Sequence, residues 1–167
     1  GGPAARLFIN LREEKGYTYG VYSGFSAGKY SGPWFAGGDV RTEVTEGAMN
    51  EFLKELNRIR DERVPEGELD DCKRSLVAVF ALSLEQPTQL LGYEITRKYY
   101  GLPKDYWDIY PNKIIAVSTD DVQRVARKYI NPESIQIVAV GDAGKIKDVM
   151  AKFGSVELYD TEGKLKQ

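Results

Sequence analysis

The chain contains no histidine. That absence excludes a Ser-His-Asp triad, a Cys-His pair, imidazole acid–base catalysis and every zinc site built on imidazole ligands. A metal held by this chain alone would need an all-oxygen site, suited to calcium or magnesium. No clustered Asp-x-Asp-x-Asp/Asn pattern is present to build one. The single cysteine, Cys72, rules out an intrachain disulfide framework and any Cys-x-x-Cys motif. Long apolar runs are missing too, since the longest, Ser75 to Leu84, falls far short of a bilayer span. Charge of one sign is not in excess: 23 Lys+Arg face 25 Asp+Glu, so no broad basic surface awaits nucleic acid.

What is present suits an ordinary globular chain. The 167 residues, 42% hydrophobic and 29% charged, are enough for a single domain, 1–167, with a real core. Gly1-Gly2-Pro3 leads at once into the helical pattern of Ala4-Ala5-Arg6-Leu7-Phe8, with no starting methionine, targeting signal or lead-in strand before it. The expectation is that the sequence is a piece of a longer one.

Residues 4–14 predict a helix, with Leu7, Phe8 and Leu11 at helical spacing and Gly16 as its stop. From Tyr17 the period changes to two. Tyr17, Tyr19, Val21, Ser23 and Phe25 are expected on one face of a strand, with Thr18, Gly20, Tyr22 and Gly24 on the other. Ala27-Gly28-Lys29 turns the chain, and Pro33 to Arg41 returns as the second strand of an antiparallel hairpin. Residues 44–62 predict an amphipathic helix whose inner stripe is Met49, Phe52, Leu53, Leu56 and Ile59. Pro65 opens the next helix, with Leu69, Cys72, Leu76, Val79 and Phe80 inward, so Cys72 is expected to be a small buried hydrophobe. Pro87 breaks that segment, and a further helix runs to about Tyr100.

A short helix follows from Tyr106 to Ile115. Ser118-Thr119-Asp120-Asp121 has the form of a capping box, with Val117 and Val122 placed as a hydrophobic staple. Val122, Val125, Ala126 and Tyr129 complete the apolar stripe of the helix it starts. Ile135 to Val140, almost all apolar and β-branched, predicts a buried central strand. A last helix, about Lys145 to Phe153, precedes a short strand near Val156 to Tyr159. The expected class is α+β: an antiparallel-rich sheet covered on one face by helices.

Most candidate chemistry has a plainer explanation. Gly141-Asp142-Ala143-Gly144 lacks phosphate-loop spacing and fits a strand-to-helix turn. Glu66, Glu68, Asp70 and Asp71 lie in the first turns of a helix, where the macrodipole favours negative charge. Tyr93, Tyr99, Tyr100, Tyr106 and Tyr110 lack the basic surroundings of a base-stacking surface and suit a half-buried seam between helices.

The segment Leu11-Arg12-Glu13-Glu14-Lys15-Gly16-Tyr17-Thr18-Tyr19 stands apart. On its own, Arg12 is a cation in the last turn of a helix and Tyr19 an aromatic on a glycine-rich strand. The segment strongly resembles the Leu-Arg-Glu-Glu-(Lys/Arg)-Gly-x-x-Tyr signature of the insulinase–pitrilysin metallopeptidase family, which includes mitochondrial processing peptidase and insulin-degrading enzyme. Gly1-Gly2 with Arg6-Leu7-Phe8 is similar to that family's Gly-Gly-Gly-x-x-Ser-Arg-Leu-Phe stretch, although Ala4-Ala5 replaces its Ser-rich pair. Gly67-Glu68-Leu69 with Lys73 is similar to its Glu-Glu-Leu-x-x-x-Lys helix. Asp121-Val122 through Tyr129, then Val138-Ala139-Val140-Gly141-Asp142, resemble its final helix and strand.

The resemblance implies one half of a two-part clamshell, the C-terminal zinc-less half of a metalloendopeptidase, with its N-terminal part missing. It implies that zinc is bound by the other half, through His-x-x-Glu-His and a further Glu, in the same polypeptide or a partner subunit of a homo- or heterodimer. A peptide would be the substrate, and the present segment would be inactive alone. By the same resemblance Arg12 and Tyr19 reach the substrate near the scissile bond, and the seven-residue step alone selects Tyr19 over Tyr17. A phenol can donate a hydrogen bond to a developing oxyanion, and a guanidinium can hold a substrate carbonyl or orient a neighbouring carboxylate. The alternative is a non-catalytic structural or peptide-binding subunit of the same fold.

Overall fold

Leu7 and Leu11 lie four apart, and helical winding puts both into the same apolar contact. In the computed structural model, which describes residues 2, 4–26 and 28–166, the first element is a short α-helix, α1 (Arg6–Phe8). It widens directly into a π-helical turn over Ile9–Glu14. Gly16 ends it with φ 60°, a left-handed conformation that costs other residues steric strain. The Tyr17 N–H reaches back to the Leu11 carbonyl at 2.8 Å and the Gly16 N–H to Arg12 at 3.1 Å. This closure spans one residue more than an α-helical Schellman end, as the wider winding requires.

The chain then forms the hairpin of β1 (Thr18–Phe25) and β2 (Trp34–Val40), paired antiparallel from Thr18 with Val40 to Phe25 with Trp34. Part of the expected turn, Ala27, lies outside the described residues. Tyr22 faces Gly37 across the ladder, and a Cβ on Gly37 would come within 3.1 Å of the Tyr22 hydroxyl. α2 (Thr45–Asp61) follows a 3₁₀ turn at Thr42–Val44. Leu7, Leu11, Val21 and Ala48 form the buried core here, with Phe8, Tyr17, Val40 and Phe52 packed around them.

Two compact units are distinguished by their internal packing: residues 1–57 with 131–167, and residues 58–130. In the first, α7 (Ala143–Met150) is followed by Lys152, which pairs with Glu46 of α2 at 2.6 Å. The strands β3 (Leu158–Tyr159) and β4 (Leu165–Lys166) form a second small antiparallel pair. The expected buried strand at Ile135–Val140 is not formed. The segment joins no ladder among the described residues, and Val138 and Val140 are 88% and 98% exposed. Apolar β-branched residues favour a pleated surface, but a strand also needs a partner for its backbone groups.

The second unit holds α3 (Glu66–Ser83), α4 (Pro87–Tyr99), α5 (Tyr106–Ile115) and α6 (Thr119–Tyr129). Phe80 is buried among Tyr93, Trp107 and Tyr110, with ring centroids 4.9–6.1 Å away. The Trp107 indole N–H donates to the Tyr93 carbonyl at 2.9 Å. This cluster turns α3 so that Leu69, Lys73, Val77 and Phe80 face inward, and Cys72, Leu76 and Val79 are exposed instead of buried. α6 starts with the expected capping box: the Asp121 N–H donates to the Ser118 hydroxyl, and the Ser118 N–H donates to the Asp121 carboxylate. The Ser118 hydroxyl, Arg124 and the Ser118 N–H together hold that carboxyl down at about 2. The class is α+β, helix-rich with a small antiparallel sheet. Among the described residues no helix is long and apolar enough to cross a membrane.

Candidate functional site

Arg12 sits in the π-helical turn and Tyr19 at the start of β1, and the reversal at Gly16 brings them together. The Arg12 guanidinium carbon lies 4.9 Å from the centre of the Tyr19 ring and 4.7 Å from that of Phe8. These are cation–π distances, and they hold a long side chain in one place at low entropic cost. Arg12 also approaches the exposed Glu13 carboxylate at 3.6 Å.

The two neighbouring tyrosines have different surroundings. Tyr17 packs against the core with its hydroxyl over α2, where a Cβ on Gly47 would lie 3.0 Å from it. Tyr19 is 88% exposed. Regular alternation would have put Tyr19 on one face with Val21, but β1 is irregular between Thr18 and Val21. Thr18 and Val21 are the buried pair, and Tyr19 is turned away from them.

An open cleft of about 460 Å³ adjoins this junction, lined by residues 16–19, where the chain enters β1, and residues 39–41, where it leaves β2. Arg41 closes one side by donating to the Gly16 carbonyl at 2.8 Å. Beneath the π-helical turn, Asn10 is 5% exposed and its amide donates to Glu51 and Glu55 of α2, each at 2.8 Å. Glu55 is 4% exposed, and Glu51 also meets Lys15 at 3.3 Å and Lys54 at 3.2 Å. The Asn10 hydrogen bond is the largest influence holding the Glu51 carboxyl below the usual value, against the opposing pull of burial.

Sequence reasoning missed Asn10 and Glu55, because apolar spacing picks out inward positions only by their hydrophobic residues. Asn10 stands one position before the apolar Leu11 in the π-helical turn, and both are buried. Among the described residues no group of three or more Cys, Asp or Glu side chains could hold a metal. With histidine absent as well, zinc does not fit this chain.

Residues 1–76 match the family model for the peptidase M16 inactive domain. No curated protein matches the chain significantly. Among solved structures, a peptidase M16 inactive domain from Pseudomonas fluorescens is 29% identical with a TM-score of 0.67, covering 78% of this chain and 31% of that one. A conserved protein from Enterococcus faecalis V583 (23% identity, TM-score 0.66, coverage 77% and 30%) shares the fold. So does a protease from Helicobacter pylori (19% identity, TM-score 0.65, coverage 78% and 32%). The chain spans about a third of the length of each. The match over residues 1–76, the segment that carries Arg12 and Tyr19, and the fold shared across most of the chain make this chain similar to the peptidase M16 inactive domain.

Proposed function

We propose that this chain is the substrate-binding, transition-state-stabilising half of a zinc-dependent metalloendopeptidase. In that reading it acts as a single C-terminal zinc-less domain, with Tyr19 and Arg12 as its working residues. The zinc and the general base come from the catalytic half with which an inactive M16 domain pairs, in the same polypeptide or a partner subunit. Peptide hydrolysis belongs to the pair, and this chain alone is inactive.

The observation that carries the reading is the stacking of the Arg12 guanidinium on an outward-facing Tyr19 ring at the lip of a cleft. A phenol held this way can donate its hydrogen to the oxygen that gains charge as a peptide carbonyl becomes tetrahedral. Arg12 fixes the ring and keeps N–H donors available for a substrate carbonyl.

Tyr19→Phe tests the assignment because it keeps the ring and removes only the hydroxyl. In the complete enzyme kcat on peptides is expected to fall about a hundredfold, corresponding to roughly 3 kcal/mol for a lost oxyanion donor. Zinc content stays unchanged. An unaltered kcat removes Tyr19 from the mechanism. Absence of any zinc-binding half, encoded with this chain or co-purifying with it, selects the non-catalytic structural or peptide-binding subunit instead.

A further inference from the structure

The outward direction of Tyr19 is not what strand geometry supplies. Residues two apart share a face of a strand, so a regular β1 would bury Tyr19 beside Val21. The ladder pairs Thr18 with Val40 and Val21 with Gly38. Three steps along β1 therefore oppose two along β2, and the additional residue makes a β-bulge.

The Thr18 hydroxyl occupies the centre of this irregularity and is itself buried, at 9% residue exposure. Its oxygen lies 2.7 Å from the Gly20 carbonyl and 2.7 Å from the Asp39 carbonyl of β2. It also accepts the Gly20 N–H at 3.1 Å. The single hydroxyl hydrogen serves one carbonyl at a time. The acceptor side meanwhile satisfies an amide at the bulge. Gly38 makes room for the same feature, since a Cβ there would stand 2.7 Å from the Gly20 oxygen.

We propose that Thr18 is a positioning residue for Tyr19: its hydroxyl holds the bulge that turns the phenol out of the buried face and beside Arg12. Its catalytic consequence rests on the reading of Tyr19 as a substrate-facing donor, whereas its structural content does not. Valine has the shape of threonine without the hydroxyl, so Thr18→Val removes the three contacts and little else. Serine keeps them.

The test is peptide-mapped nitration of Tyr19 by tetranitromethane in the complete protein, with exposed Tyr30 as internal reference, alongside kcat. Thr18→Val is expected to lower Tyr19 nitration relative to Tyr30 by roughly fivefold, on the scale of one lost hydrogen bond, while Thr18→Ser stays near the parent. Parent-like Tyr19 reactivity in a folded Thr18→Val protein overturns the proposal, whatever happens to kcat. Reduced reactivity with kcat retained supports the positioning role and instead removes Tyr19 from the chemistry. Should the valine variant fail to fold, amide exchange in the parent decides: a protected Gly20 N–H supports the proposal, and exchange at the unstructured rate overturns it.

Discussion

The Arg12 guanidinium lies over the rings of both Phe8 and Tyr19, one from its own helix and one from the strand beyond the reversal. This arrangement depends on a flat cation. Lysine carries the same charge as a compact ammonium, without the planar face that stacks on a ring or the fork that grips a carbonyl. On the proposed function, Arg12→Lys is expected to reduce kcat/KM of the complete enzyme about tenfold, the scale of a stacking and orienting contact. Steady-state kinetics on a fluorogenic peptide measures it. Parent-like values would show that charge alone suffices.

Gly16 is required by its backbone, not by its surroundings. Its φ is 60° and a Cβ built on it would meet nothing within 4 Å. Gly16→Ala therefore isolates the left-handed penalty, about 1 to 2 kcal/mol of stability. Urea unfolding of a Trp107→Phe background, in which Trp34 is the remaining tryptophan of this chain, followed by fluorescence reports it. A midpoint equal to the parent's would mean that the reversal tolerates another conformation.

Glu51 gives the π-helical turn a pH dependence of defined sign. Its carboxyl is held low first by the Asn10 amide, with burial opposing and Lys54 and Lys15 assisting. The folded form thus gives up the proton more readily than the unfolded chain, whose reference value is 4.5. The stabilisation is complete above that value and is lost as pH falls through the lower folded one. In a carbon-13 titration, Glu51 is expected to have a midpoint below 4.5 in the parent. Asn10→Ala should raise it. A midpoint that does not move between the two proteins would remove Asn10 as the cause.

The features legible in the sequence are those decided by near neighbours. The stop at Gly16, the break at Pro87 and the capping box at Ser118 each depend on residues within a few positions, and all three are present. What escaped depends on contacts distant in the chain. The bulge is tied by Thr18 to Asp39, and the wider winding at Ile9–Glu14 is accompanied by Asn10 bonds to Glu51 and Glu55. Cys72 was expected inside because apolar spacing alone does not say which side of α3 the aromatic rings around Phe80 will occupy. Ile135–Val140 has strand composition, but composition names no partner strand. Resemblance offers Arg12 and Tyr19 as candidates; that Tyr17 covers Gly47 while Tyr19 stays exposed is not legible in it.

Short hairpins are prone to slippage, because sliding by two residues preserves the in–out pattern. Here that freedom is removed by missing side chains. Gly38 lies under the Gly20 carbonyl, where a Cβ would stand 2.7 Å from a backbone oxygen, and Gly37 lies under the Tyr22 ring, where a Cβ would crowd the hydroxyl at 3.1 Å. A slide in either direction would bring Ala36 or Asp39 into one of those two gaps. The consecutive glycines work as a keyway that favours one alignment, so deletions and insertions in this hairpin should be less tolerated than substitutions elsewhere along it.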